Sequence, residues 1–134
     1  MALSKSKLVV SDYMSEGPHT IASSEPLSAA HREMRAHKIR HLPVVDGDEV
    51  VGVVSMDDLH LMETLKNIDP ETVPVADAMT PDPYVVSPDQ PLEAVVAHMS
   101  GNKIGSAVVM RDGSLVGVFT TVDAMRALVL ILRR

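Results

Sequence analysis

The strings Gly52-Val53-Val54-Ser55-Met56-Asp57-Asp58 and Gly117-Val118-Phe119-Thr120-Thr121-Val122-Asp123 carry a glycine, a hydroxyl and a carboxylate at one shared spacing. Each reads as a buried strand running into a helix, with Ser55 or Thr120 at the junction. A helix start offers unpaired N–H groups and partial positive charge, which suits an anion such as a phosphate. The carboxylate one turn later accepts hydrogen bonds only, which suits two hydroxyls such as a ribose diol. Together they point to a nucleotide. The same Ser/Thr-x-x-Asp spacing is also a capping box, in which hydroxyl and acid close on the helix's own amides. One carboxylate cannot serve both uses fully at once.

Other chemistry finds less support. There is no Cys nucleophile and no Ser in a Gly-x-Ser-x-Gly elbow, so nothing argues for an enzyme. The basic residues gather in His31, Arg32, Arg35, His37, Lys38, Arg40 and His41. Arg32, Arg35 and Lys38 suit a solvated helix face, whereas Arg40 and His41 lie past the helix and are phosphate candidates. His37 and His41 have a metal-like spacing, but the helix is expected to end between them and no carboxylate or Cys completes a set. No metal site and no required cofactor are expected.

The elements that must hold these residues are doubled. A constant shift of 65 aligns Val10 with Val75, Met14 with Met79, Pro26 with Pro91, Lys38 with Lys103, Val44 with Val109 and Asp58 with Asp123, without a gap. An internal repeat of this length governs the whole fold. Each copy opens on a short helical turn, followed by a short strand near His19–Ala22 or Tyr84–Ser87. Ser24 and Asp89 are N-cap candidates, each followed by Pro in the first helical turn. The helix then presents Leu27, Ala30, Met34 or Leu92, Val95, Met99 on one face. Two apolar strands follow, with Asp46-Gly47-Asp48 or Arg111-Asp112-Gly113 as hairpin turns between them. A second helix leaves Ser55 or Thr120.

The expected fold is therefore α/β: two β-α-β-β-α repeats with pseudo-two-fold symmetry, their small mixed sheets packed together and flanked by helices. A three-stranded sheet with two helices is too small to close a core alone. Residues 1–66 form the first repeat, 67–74 a linker, and 75–134 the second repeat with its apolar C-terminal helix. The breadth of that helix's apolar surface calls for a second copy of the chain, a homodimer.

Composition agrees. Aromatic residues make up only 2%, so Val, Ile, Leu, Ala and nine Met must fill the interior, with Met34, Met99, Met110 and Met125 expected in the core. The net charge of −6 argues against nucleic-acid binding. Cysteine is absent, which excludes disulfides and thiolate metal sites. Met1–Lys7 is followed by no signal-peptide apolar region. The longest apolar run, Ala127–Leu132, is far short of the ~20 residues needed to span a membrane. A cytoplasmic protein with no membrane insertion is expected.

The Met14 and Met79 lead-ins, the run Ile39-Arg40-His41-Leu42-Pro43-Val44-Val45-Asp46 and the two Gly-x-x-(Ser/Thr)-x-x-Asp strings resemble the cystathionine-β-synthase (CBS) domain family, arranged as the tandem pair called a Bateman module. The resemblance covers roughly Val9 to Leu128. It implies paired clefts for adenosine-containing ligands, usually AMP, ADP or ATP and sometimes S-adenosylmethionine. It also implies a regulatory rather than catalytic role, often as a homodimer, and the output is expected to pass to an effector protein.

Carried over by position, Ser55 and Asp58 serve one cleft and Thr120 and Asp123 the other. Gly17, Pro18 and His19, or Asp82, Pro83 and Tyr84, line an adenine pocket. Ile39 and Val53, or Ile104 and Val118, pack the base face. Arg40 and His41 face phosphate, whereas the second copy has Gly105 and Ser106 there. If those cations cross between repeats, the Asp123 cleft is the tighter. The alternatives are a dimerisation scaffold with vestigial clefts, or a sensor of S-adenosylmethionine or a divalent cation.

Overall fold

The computed structural model describes residues 8–134. The Met1–Lys7 expectation lies outside the described residues. The chain divides into two compact units, one holding the segment up to Pro18 together with Tyr84–Arg134, the other His19–Pro83.

The His19–Pro83 unit contains a four-stranded mixed sheet in the order β2 (Ile21–Ala22), β3 (His41–Asp46), β4 (Glu49–Ser55), β5 (Thr80–Pro81). β2 runs parallel to β3, while β3–β4 and β4–β5 are antiparallel. Helix α1 (Leu27–His37) crosses from β2 to β3, and α2 (Met56–Glu63) follows β4. The other unit repeats the plan as β1 (Ser15–Glu16), β8 (Ser114–Thr120), β7 (Ser106–Arg111), β6 (Val85–Val86), with α3 (Leu92–Asn102) and α4 (Thr121–Leu132). The expected β-α-β-β-α order is present in each unit.

The expected helix faces are the buried ones. Leu27, Ala30 and Met34 are fully covered, as are Val95 and, nearly so, Leu92 and Met99. Leu42, Val44, Val54 and Leu59 complete one core; Ala107, Val109, Phe119 and Ala127 complete the other. Asp112 (φ 50°) and Gly113 (φ 80°) turn the β7–β8 hairpin with two left-handed residues, the geometry that matches strand twist. Lys38 and Lys103 each end their helix in the same left-handed conformation (φ 55°, ψ 44°).

Three expectations need correction. Each sheet has a fourth strand, because the lead-in of one repeat pairs with the last strand of the other: β1 with β8, and β5 with β4. The glycine in each string makes room for that lead-in. A Cβ on Gly52 would stand 2.7 Å from both Met79 Sδ and the Thr80 carbonyl oxygen, and one on Gly117 would meet Met14.

Ser24 and Asp89 are not N-caps. Helices α1 and α3 begin at Leu27 and Leu92, with Pro26 and Pro91 at the cap and no side-chain cap bond. Their first amides go to distant backbone instead: Leu27 N to Val73 O (3.0 Å), Ser28 N to Pro70 O (2.9 Å) and Leu92 N to Leu8 O (2.8 Å). The stretch 67–74 thus closes a helix end while Ile68 and Val73 pack on the core. Asp89 accepts the Ser87 hydroxyl at 2.8 Å, and that bond holds its carboxyl below the usual range. Finally, Met125 is 61% exposed rather than in the core.

Candidate functional site

Each candidate corner forms where a strand becomes a helix. Ser55 ends β4 in extended conformation (φ −109°, ψ 163°), and Thr120 ends β8 in nearly the same one (φ −109°, ψ 172°). That conformation aims the hydroxyl back at the third helical amide. Asp58 N donates to Ser55 Oγ at 3.1 Å, and Ser55 N donates to Asp58 Oδ2 at 2.8 Å. Asp123 N donates to Thr120 Oγ1 at 3.3 Å, and Thr120 N to Asp123 Oδ2 at 3.0 Å. Both are complete capping boxes. The next amide is also used, Met56 N by Arg40 O (2.8 Å) and Thr121 N by Gly105 O (3.2 Å). Three of the amides at each corner that could meet a phosphate, those of Ser55, Met56 and Asp58 or of Thr120, Thr121 and Asp123, therefore already donate within the protein.

The acids differ in what else they hold. Asp123 is 2% exposed, and its carboxylate also accepts from Ser15 Oγ (3.2 Å), Thr120 Oγ1 (3.2 Å) and Arg126 Nη1 (3.1 Å). Asp58 is half-buried, and its Oδ1 makes no hydrogen bond among the described residues. Ser15 and Arg126 were not among the expected site residues. The Asp-x-x-Arg spacing on one helix was a usable signal for Arg126; Ser15 is 108 residues away from Asp123 and gave none.

His41 stands directly opposite Ser55 in the β3–β4 ladder, and Ser106 opposite Thr120, so the second strand's entry does adjoin each corner. Arg40 donates to Asp57 Oδ1 at 3.2 Å, with both side chains largely exposed. Ile39 and Ile104 pack on their units' cores. Val53 and Val118 are buried but belong to neither core cluster. Their strand neighbours Val54 and Phe119 do, which puts Val53 and Val118 on the opposite sheet faces.

The flanking triplets are divided. Gly17 and Pro18 follow β1 in the Thr120–Asp123 unit, whereas His19 begins the other. Likewise Asp82 and Pro83 lie with Ser55 and Asp58, and Tyr84 with Thr120 and Asp123. The His19 ring stacks on His37, and the Tyr84 ring on His98 with centroids 4.1 Å apart. Burial pushes the Tyr84 phenol upward. A groove of about 370 Å³ lies next to the second corner, lined by Val96, Met99, Ser100, Lys103, Ile104, Gly105, Thr121 and Ala124.

Two repeats of this topology, each with a hydroxyl–carboxylate corner between its last strand and last helix, define a CBS-domain pair. The CBS domain family model matches residues 10–61 and 75–130, and the chain belongs to that family. Among solved structures, CBSX2 in complex with AMP is 28% identical with a TM-score of 0.80, over 92% of this chain and 98% of that one. The CBS domain pair of protein MJ0100, in complex with 5′-methylthioadenosine and S-adenosyl-L-methionine, is 27% identical with a TM-score of 0.80, over 90% and 94%. An inosine-5′-monophosphate dehydrogenase from Korarchaeum cryptofilum is 34% identical over 107 residues, 78% of this chain. The match spans only 21% of that enzyme's length. No helix among the described residues is long and apolar enough to cross a membrane.

Proposed function

We propose that this chain is a regulatory module that binds an adenosine-containing ligand, AMP, ADP or ATP before S-adenosylmethionine, and catalyses no reaction. The observation carrying this reading is the recurrence of one hydroxyl–carboxylate corner, with matching backbone angles, in a chain whose structural relatives include an AMP complex and an S-adenosylmethionine complex. A ribose diol would donate to the carboxylate, and Arg40 and His41 would meet the phosphate tail. The bonding pattern favours the Ser55–Asp58 corner as the ligand site. Asp58 has an oxygen ready for a sugar hydroxyl, whereas Asp123 must first give up Ser15 or Arg126.

Helix α4 supports a homodimer as the working form. Met125, Leu128, Leu130 and Leu132 are all more than half exposed, an apolar surface that a second copy would cover. A cytoplasmic location and an effector protein that reads the ligand's influence complete the proposal. A ligand shifts such a module only through its differential affinity for two arrangements.

The closed capping boxes favour one competing reading, a dimerisation scaffold whose corners are purely structural. A melting series with AMP, ADP, ATP and S-adenosylmethionine separates the two. Sensing requires a rise of several degrees once the ligand reaches about 100 times its dissociation constant, worth about 2.7 kcal/mol. No rise with any of them at millimolar concentration, together with dissociation of the dimer by Leu128→Glu in light scattering, establishes the scaffold instead.

A further inference from the structure

Glu33 and His37 lie four residues apart on α1 and so project from one face of its last turns. His37 Nε2 stands 3.4 Å from Glu33 Oε2. The His19 ring reaches the same face from the chain before β2, stacked on His37 with centroids 3.5 Å apart and planes inclined by 12°. One donor atom from each of the three residues lies within 4.8 Å of the other two. We propose that His19, Glu33 and His37 bind a divalent transition-metal ion, zinc first among them, with solvent completing the coordination.

The donor set chooses the metal. Two imidazole nitrogens and one carboxylate suit zinc, nickel or copper, whereas magnesium and calcium favour oxygen ligands throughout. The spacing is also close to what zinc requires. Bonds of about 2.0–2.2 Å in a tetrahedron set neighbouring donors about 3.4 Å apart, the separation already present between Glu33 and His37. His19 is exposed, so its ring can turn from stacking on His37 to sharing an ion with it. His37 closes the last turn of α1, where the helix dipole favours a cation. The competing account is a surface ring stack beside an ion pair, which contributes little and does not require three donors to converge. The sequence concealed this group because His19 is brought to the Glu33–His37 pair only by the fold.

The test is calorimetric titration of the untagged full chain with zinc chloride, nickel chloride and magnesium chloride. The variants are His19→Gln, Glu33→Gln, His37→Gln and, as a second substitution at the helix end, His37→Asn. His60→Gln serves as the control, because His60 faces His31 in the chain's other histidine pair, with ring centroids 6.0 Å apart. The expected result is a single zinc per chain, no response to magnesium, at least about tenfold weaker zinc binding in each of the four variants, and unchanged binding in the control. Melting curves without metal verify that the variants fold. The proposal is overturned if the chain takes up no zinc, if the variants bind as the parent does, or if His60→Gln alone loses binding.

Discussion

The two strand-to-helix corners share backbone angles and a capping box, yet they hold their acids differently. Asp123 is buried and accepts from four donors; Asp58 is half-buried, and its Oδ1 makes no hydrogen bond among the described residues. The register explains the difference. At the shift of 65, Arg126 corresponds to Leu61, which cannot pair with an acid, and Ser15 corresponds to Thr80, whose hydroxyl makes no bond to Asp58. The repeat preserved the helix-start device in both units, while two substitutions locked one acid and left the other available. A carboxylate whose partners are all internal works as structure. One with spare capacity can also bind.

The sharpest way to break this comparison is to delete each acid in turn. Asp123→Ala removes the acid's half of the capping box and leaves the Ser15, Thr120 and Arg126 donors without their acceptor, a loss of about 3 kcal/mol in denaturant unfolding. Asp58→Ala removes only the acid's half of the capping box, its bond from Ser55 N, and should cost about 1 kcal/mol. Equal losses would show that the additional partners of Asp123 contribute nothing. Ligand response should run the other way. Asp58→Asn is expected to abolish most of a nucleotide-induced rise worth about 2.7 kcal/mol at 100 times the dissociation constant, with Asp123→Asn retaining more of it. The reverse outcome in a thermal-shift series would return preference to the second corner.

The glycines separate the corners at the level of packing. A Cβ on Gly52 would meet the Thr80 carbonyl oxygen, which is backbone and cannot move aside without displacing β5. On Gly117 the three nearest atoms all belong to the Met14 side chain, Sδ closest and Cγ and Cε each at 3.0 Å, and a flexible methionine can repack where backbone cannot. Gly52→Ala is therefore expected to cost about 1–3 kcal/mol and Gly117→Ala less than about 1 kcal/mol. Thermal unfolding of the two variants side by side measures this. A larger loss at Gly117 would mean that Met14 is held as rigidly as backbone.

These glycines also mark where the sequence was legible and where it was not. The repeat, the helix faces of Leu27–Met34 and Leu92–Met99, the hairpin turns and the capping-box spacing are local patterns, and each appears in the structure. The lead-in strands β1 and β5 are two residues long, too short for alternation to register, and they pair with partners contributed by the other repeat. The same distance hid the caps of α1 and α3, supplied by backbone oxygens far along the chain rather than by Ser24 or Asp89. A glycine inside each strand was the one clue that another chain segment passes close by. At the site, residue types identified the corner, but only tertiary contacts reveal which carboxylate is already occupied.

The smallest expected effect tests the most specific difference. Ser15 Oγ donates to both Asp123 oxygens, at 3.2 and 3.4 Å, across a β1–β8 ladder that brings Ser15 opposite Val118. Ser15→Ala leaves the ladder intact and withdraws a single hydroxyl from a buried carboxylate, which should cost about 1 kcal/mol. Thr80, its counterpart opposite Val53, is exposed and bonds no acid, so Thr80→Ala should be nearly neutral. Because one buried anion loses a donor and the other never had it, the pair of variants isolates Ser15's contribution from strand pairing, which both retain. If Thr80→Ala proves as costly as Ser15→Ala, the hydroxyls of these two residues matter for the strands and not for the acids, and Asp123 owes its greater engagement to Arg126 and the Thr120 hydroxyl.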